Sequence, residues 1–229
     1  MNSSGIESDS TTSLFVWGNL SDDARYFVFV SDATNLVANH PTRQTDIYIR
    51  DRQTSTTSLA YPGGIMPNNR SDSPRMSADG RYIVFHSFAS NLVTGSTNAD
   101  GIFLIDRQLG TIEQENISST GVPATGGGGT QYPAVSDDGR YVAFFSNQPS
   151  LNPYGTSDSS EYLRDRSLGT TELISQNPTC ETDFNFTGFS FISNDGRYVS
   201  VDTDFGLLPV DTNGVPDSYL RDRSIPFGK

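Results

Sequence analysis

The chain has 229 residues, a formal net charge of −12, 34% hydrophobic residues and one cysteine. That acidity repels a phosphate backbone and the one lysine, Lys229, offers no basic arm, which excludes nucleic acid as a partner. Cys180 alone gives neither a disulfide nor a thiolate zinc site, and no apolar run approaches the roughly 18 residues of a membrane span or follows a basic start as a secretory signal would.

In chain order, the first landmark is "STTSL" at 10–14, which returns at 55–59. Next comes "SDDARYFVF" from Ser21, the first of four related strings; "SADGRYIVF", "SDDGRYVAF" and "SNDGRYVSV" begin at Ser77, Ser136 and Ser193. Their arginines, Arg25, Arg81, Arg140 and Arg197, recur about every 57 residues and are each followed by a tyrosine. Leu36, Leu92, Leu151 and Leu208 keep one offset from those arginines, and "YIRDR", "FLIDR" and two copies of "YLRDR" place Asp51, Asp106, Asp165 and Asp222 before a further arginine.

Short runs such as "RYIVF" and "GIFLI" are too brief for helices and rich in β-branched and aromatic residues, so each unit reads as about four strands in meander order. The Asp-Gly pair before three of the arginines suits a tight hairpin; Asp23-Ala24 in the first copy predicts a different or strained turn. Apolar residues on both faces of the second and third strands must be covered by neighbouring units. Radial stacking does this, giving an all-β, four-bladed β-propeller. A single domain over 1–229 follows, with blades near 15–63, 72–119, 131–176 and 188–229. The fourth unit lacks a last strand, and 8–14 is expected to supply it and close the ring, sparing an open edge. The competing reading makes "SLFVWGNLS" a long first strand within a larger propeller.

The ordered set "SxDGRYVAF", "SNLV", "DxFxRDR" and "GTTE" resembles the TolB-like, WD-repeat-like β-propeller family over nearly the whole chain. The resemblance implies an extracytoplasmic module, periplasmic or secreted, that binds a protein or peptide or accompanies a separate catalytic domain. Ala24 and the fourth copy's "VSVDTDFGLL" depart from the pattern.

The repeated Arg and Asp residues read as frame, since one active site does not need four sets. His40 and His86 have no nucleophile elbow or third partner, and each reads as a surface histidine. Positions five and seven residues after each motif arginine vary against the constant frame. They nominate Asp32, His86, Phe88, Phe145, Asn147, Asp202 and Asp204 as binding residues at one mouth. The leading function is a non-catalytic binding or scaffolding module for a protein or peptide. The alternatives are a lectin-like glycan binder and a glycosidase-type enzyme using mouth carboxylates such as Asp202 and Asp204. "DTNGVPD" offers Asp211, Asn213 and Asp217 as weak oxygen ligands for calcium, without the closing glutamate of an EF-hand; no other cofactor is expected.

Overall fold

A computed structural model describes residues 1–10, 19–40, 44–94, 100–125, 129–155, 157, 159–175, 190–203, 207, 215 and 217–225. Three four-stranded antiparallel meanders follow one another. Sheet 1 holds β1 (Asn19–Leu20), β2 (Tyr26–Ser31), β3 (Asp46–Asp51) and β4 (Thr56–Leu59); sheet 2 holds β5 (Ser71–Met76), β6 (Tyr82–Ser87), β7 (Gly101–Asp106) and β8 (Thr111–Gln114). Sheet 3 holds β9 (Gln131–Val135), β10 (Tyr141–Ser146), β11 (Ser160–Asp165) and β12 (Thr170–Leu173), and sheet 4 shows β13 (Tyr198–Thr203) and β14 (Asp217–Asp222) among the described residues. No helix among them is long and apolar enough to cross a membrane.

One turn begins every second strand. Its serine hydroxyl donates to the aspartate two residues on, at 2.6 Å for Ser21 and Asp23 and 2.7 Å for Ser77 and Asp79. That carboxylate accepts the backbone N–H of the motif arginine, and the serine oxygen accepts the N–H of the tyrosine. Sheets 3 and 4 repeat the set. Ala24 keeps the same turn with φ +53°, where the other copies have glycine. It is the strained outcome, and an L-residue there costs about 1–2 kcal/mol.

Each motif arginine then clamps the end of the third strand. Arg25 meets Asp51 at 2.8 Å, and Arg81–Asp106, Arg140–Asp165 and Arg197–Asp222 each close to 2.7 Å. The same aspartates receive backbone N–H groups of the following turn, as Asp106 does from Gln108 and Leu109. The arginine hydrogen bonds hold these carboxyls below the usual range.

Neighbouring sheets cover each other's faces. Val28, Val30, Ile47 and Ile49 of sheet 1 pack with Ile83, Phe85, Phe103 and Ile105 of sheet 2. Tyr82, Val84, Ile102 and Leu104 on the other side of sheet 2 meet Val142, Phe144 and Tyr162 of sheet 3. Ala143 and Leu163 of sheet 3 meet Val199 and Val201 of sheet 4. The repeated leucines Leu36 and Leu92 are buried and Leu151 packs at the rim of its cluster; Leu208 lies outside the described residues.

The N-terminal residues lie on sheet 1. Ser3 bonds Thr57 of β4 in both directions, and Ser10 donates to Asp32 at 2.5 Å. The expected fourth-blade strand at 8–14 is therefore not supplied by residues 8–10, and 11–14 lie outside the described residues.

A Cβ on Gly139 would stand 2.5 Å from the Tyr82 ring, whereas one on Gly110 meets nothing within 4 Å; their φ values, +68° and +66°, are matched. Gly139→Ala is expected to cost about 2 kcal/mol more than Gly110→Ala, or about 4–8 °C in Tm. Thermal melts of the two variants check this.

Candidate functional site

The mouth is the end of each sheet opposite the arginine clamps. Here the second strand closes on a hydroxyl, and Ser31, Ser87 and Ser146 each accept the backbone N–H of the residue two further on. The first strands of sheets 2 and 3 bulge: Ser73 and Tyr132 both have φ +53°, with register shifts against β6 and β10. Such bulges re-aim side chains.

In sheet 2 the bulge brings Asp72 to His86. His86 Nδ1 lies 3.0 Å from Asp72 Oδ1, and Nε2 lies 2.8 Å from Asp100 Oδ1. The ring is 2% exposed. Burial alone would lower its pKa, but the carboxylates of Asp100 and Asp72 outweigh that and raise it. Phe88 meets the imidazole edge-on at 4.6 Å between centroids, and the exposed Arg70 guanidinium covers Phe88 at 4.5 Å. Asn116 and Gln148 hold Asp100 from behind, donating to its carbonyl at 3.2 Å each and joining sheets 2 and 3.

His40 is buried in the same manner: Nε2 lies 2.8 Å from Asp46 Oδ2 and Nδ1 3.3 Å from the Tyr48 hydroxyl. Both histidines thus correct the surface reading, because paired carboxylates make burial affordable. Each ring also has both nitrogens engaged within the chain, so neither offers a free base to a substrate.

The other nominated residues are placed separately. Asp32 accepts from Ser10 on sheet 1; Phe145 pairs with Gln131, and Asn147 lies beside Gly129. Asp202 pairs with Ser218, and Asp217 with Thr203. Asp204, Asp211 and Asn213 lie outside the described residues. Among the described residues no group of three His, Cys, Asp or Glu side chains is arranged to hold a metal.

Three contributors carry no sequence signal: Asp72, from the neighbouring strand β5, Asp100, immediately before β7, and Glu161. Glu161 is fully buried between sheets 3 and 4 with neither carboxyl oxygen in hydrogen-bond contact. Burial pushes its pKa up to about 8, and the Asp202 charge adds to it.

No protein-family model and no curated protein matches the chain. Solved structures do. A TolB-type protein from Agrobacterium tumefaciens is 16% identical, with 93% of this chain and 64% of that one covered and a TM-score of 0.51. The β-propeller domain of the Trilobed protease from Pyrococcus furiosus, described as open-velcro, is 10% identical over 93% of this chain and 56% of that one, with a TM-score of 0.51. An oligogalacturonate lyase in complex with manganese is 12% identical over 90% and 46%, with a TM-score of 0.50. The chain spans well under the full length of each.

The Glu161 and His86 shifts set a pH dependence. Both groups hold a proton in the folded state that the unfolded chain releases sooner, so their stabilisation is complete at low pH and lost as pH rises through the folded values. Tm is expected to fall between pH 6 and pH 9, and Glu161→Gln to remove about 4 °C or more of that fall. Melting curves across this range decide it. The chain folds as an all-β propeller of four blade units, similar in architecture to TolB-type propellers.

Proposed function

We propose that this propeller is a binding module for a protein or peptide, with the ligand seated at the mouth of sheets 2 and 3 on Arg70, Phe88 and Asn147. The carrying observation is the Arg70–Phe88–His86 stack: an exposed cation over a half-buried ring, backed by an imidazole locked between two carboxylates. Buttressing of this kind keeps an aromatic rigid, which lowers the entropy lost on binding. Aromatic and arginine side chains are also the usual anchors of peptide recognition. The closed hydrogen bonding of both histidines favours recognition over acid–base chemistry.

The test is selection of displayed random peptides on the immobilised chain, alongside a panel of free glycans. Enriched peptides are expected, and Phe88→Ala is expected to weaken them at least about tenfold, the equivalent of 1.4 kcal/mol. Enrichment of glycans alone, or peptides indifferent to both Phe88→Ala and Arg70→Ala, would sink the reading.

A further inference from the structure

The face of sheet 1 turned away from sheet 2 repeats what sheet 3 presents to sheet 2, with Tyr48 already buried against Ala33 and Leu36. Phe27, Phe29, Tyr48, Arg50 and Arg52 occupy the register positions of Val142, Phe144, Tyr162, Arg164 and Arg166. In sheet 3 that face is covered: its apolar residues share a core with Tyr82, Val84, Ile102 and Leu104, and Arg166 pairs with Glu113 and Glu115 at 2.8 Å each. In sheet 1, Phe27 and Phe29 stack at 5.4 Å yet stay half-exposed, bordering a recess of about 370 Å³ with Met1, Leu36 and Arg50. Arg52 is exposed, its guanidinium bonded to the Ala24 carbonyl and, among the described residues, to no carboxylate.

The first residues of the chain identify what belongs on this face. Thr57 N–H donates to Ser3 Oγ at 2.9 Å, as Thr171 N–H donates to Ser119 Oγ at 2.8 Å. The Thr57 hydroxyl donates to the Met1 carbonyl as that of Thr171 does to Ile117, and Arg50 donates to the Asn2 carbonyl as Arg164 does to Ser118. Gly5 and Gly121 close the same turn with φ +79° and +81°. Residues 1–6 therefore sit where 117–122 sit, in the segment that leaves the outer strand of the adjoining sheet.

Sheet 4 does not suit this place. Where sheet 2 turns Tyr82, Val84, Ile102 and Leu104 toward its neighbour, sheet 4 has Tyr198, Ser200, Ser218 and Leu220 at the same register. Two serines thus stand where sheet 2 has Val84 and Ile102, which leaves this face less apolar than the one sheet 2 turns to its neighbour. Ala24 also forbids the joint: at the three glycine positions a Cβ would fall 2.7, 2.5 and 2.0 Å from the tyrosine ring beneath, and Ala24 carries that atom. A second copy docked face to face would set Arg50 and Arg52 against themselves.

We propose that the Phe27–Phe29 face docks a further β-blade whose facing residues are aliphatic, whose outer strand is acidic and ends against Met1, and whose frame position carries no tyrosine. The test fuses residues 71–116, bearing Tyr82→Ser, directly ahead of Met1 of the full chain. Tm is expected to rise by about 5 °C or more, and Phe29→Glu to cancel the rise. A fusion retaining Tyr82 is expected to gain less, with Ala24→Gly restoring the difference. An unchanged Tm, or a gain that survives Phe29→Glu, overturns the proposal. So does sedimentation of the unfused chain as a dimer that Phe29→Glu dissociates, which would assign the face to a second copy.

Discussion

The structure depends on one contact, made three times: a tyrosine ring of one blade lying under a glycine of the next. Tyr26, Tyr82 and Tyr141 each carry their own motif arginine at 4.6–4.7 Å from the ring centre, with Gly80, Gly139 and Gly196 pressed against the ring. Arg107 and Arg223, from the next blade in each case, lie over Tyr26 and Tyr141 at 4.0 and 4.4 Å. The glycine serves two requirements, since its backbone needs positive φ and the ring leaves no room for a Cβ. A blade cannot cover both of its own faces, so its stability comes mainly through such joints with its neighbours.

The joints are not equal. Between sheets 1 and 2 the core gathers four large side chains from each side, including Phe85 and Phe103. Between sheets 3 and 4 it includes Ala143 where sheet 2 has Val84, and Glu161 where sheet 2 has Ile102. A buried carboxyl lacking a hydrogen bond weakens a joint that a hydrocarbon would strengthen. Glu115 is the informative contrast, for it is equally buried but reaches Arg166 at 2.8 Å. Burial raises its pKa to about 7, which the Arg166 charge opposes. Among the described residues the joint between sheets 3 and 4 is therefore the one with the smallest apolar core.

The frame was legible in the sequence because it repeats. Four copies of serine, aspartate, arginine and tyrosine at one spacing can be compared with one another, and comparison separates what the turn and clamp require from what varies. The mouth was only partly legible, for the opposite reason. His86 stood out as a departure, but Asp72 reaches it from β5 and Asp100 from the residue before β7, and no local pattern announces a contact made across a sheet. The match of residues 1–6 with 117–122 was not legible because it lies in hydrogen bonds rather than letters.

Frame and variability are separated along the strands. The turn, the clamp and the tyrosine joint all sit where Tyr26 pairs with Asp51, Tyr82 with Asp106, Tyr141 with Asp165 and Tyr198 with Asp222. At the far end the pairs are Ser31 with Asp46, Ser87 with Gly101, Ser146 with Ser160 and Thr203 with Asp217, and little but hydroxyl chemistry is shared. Substitution at this end leaves the joints intact, so it can follow the demands of a ligand without unfolding the array. His86 shows the limit of that freedom: a buried histidine is tolerated there because Asp72 and Asp100 engage both ring nitrogens, and a mouth residue without such partners has to be neutral or exposed.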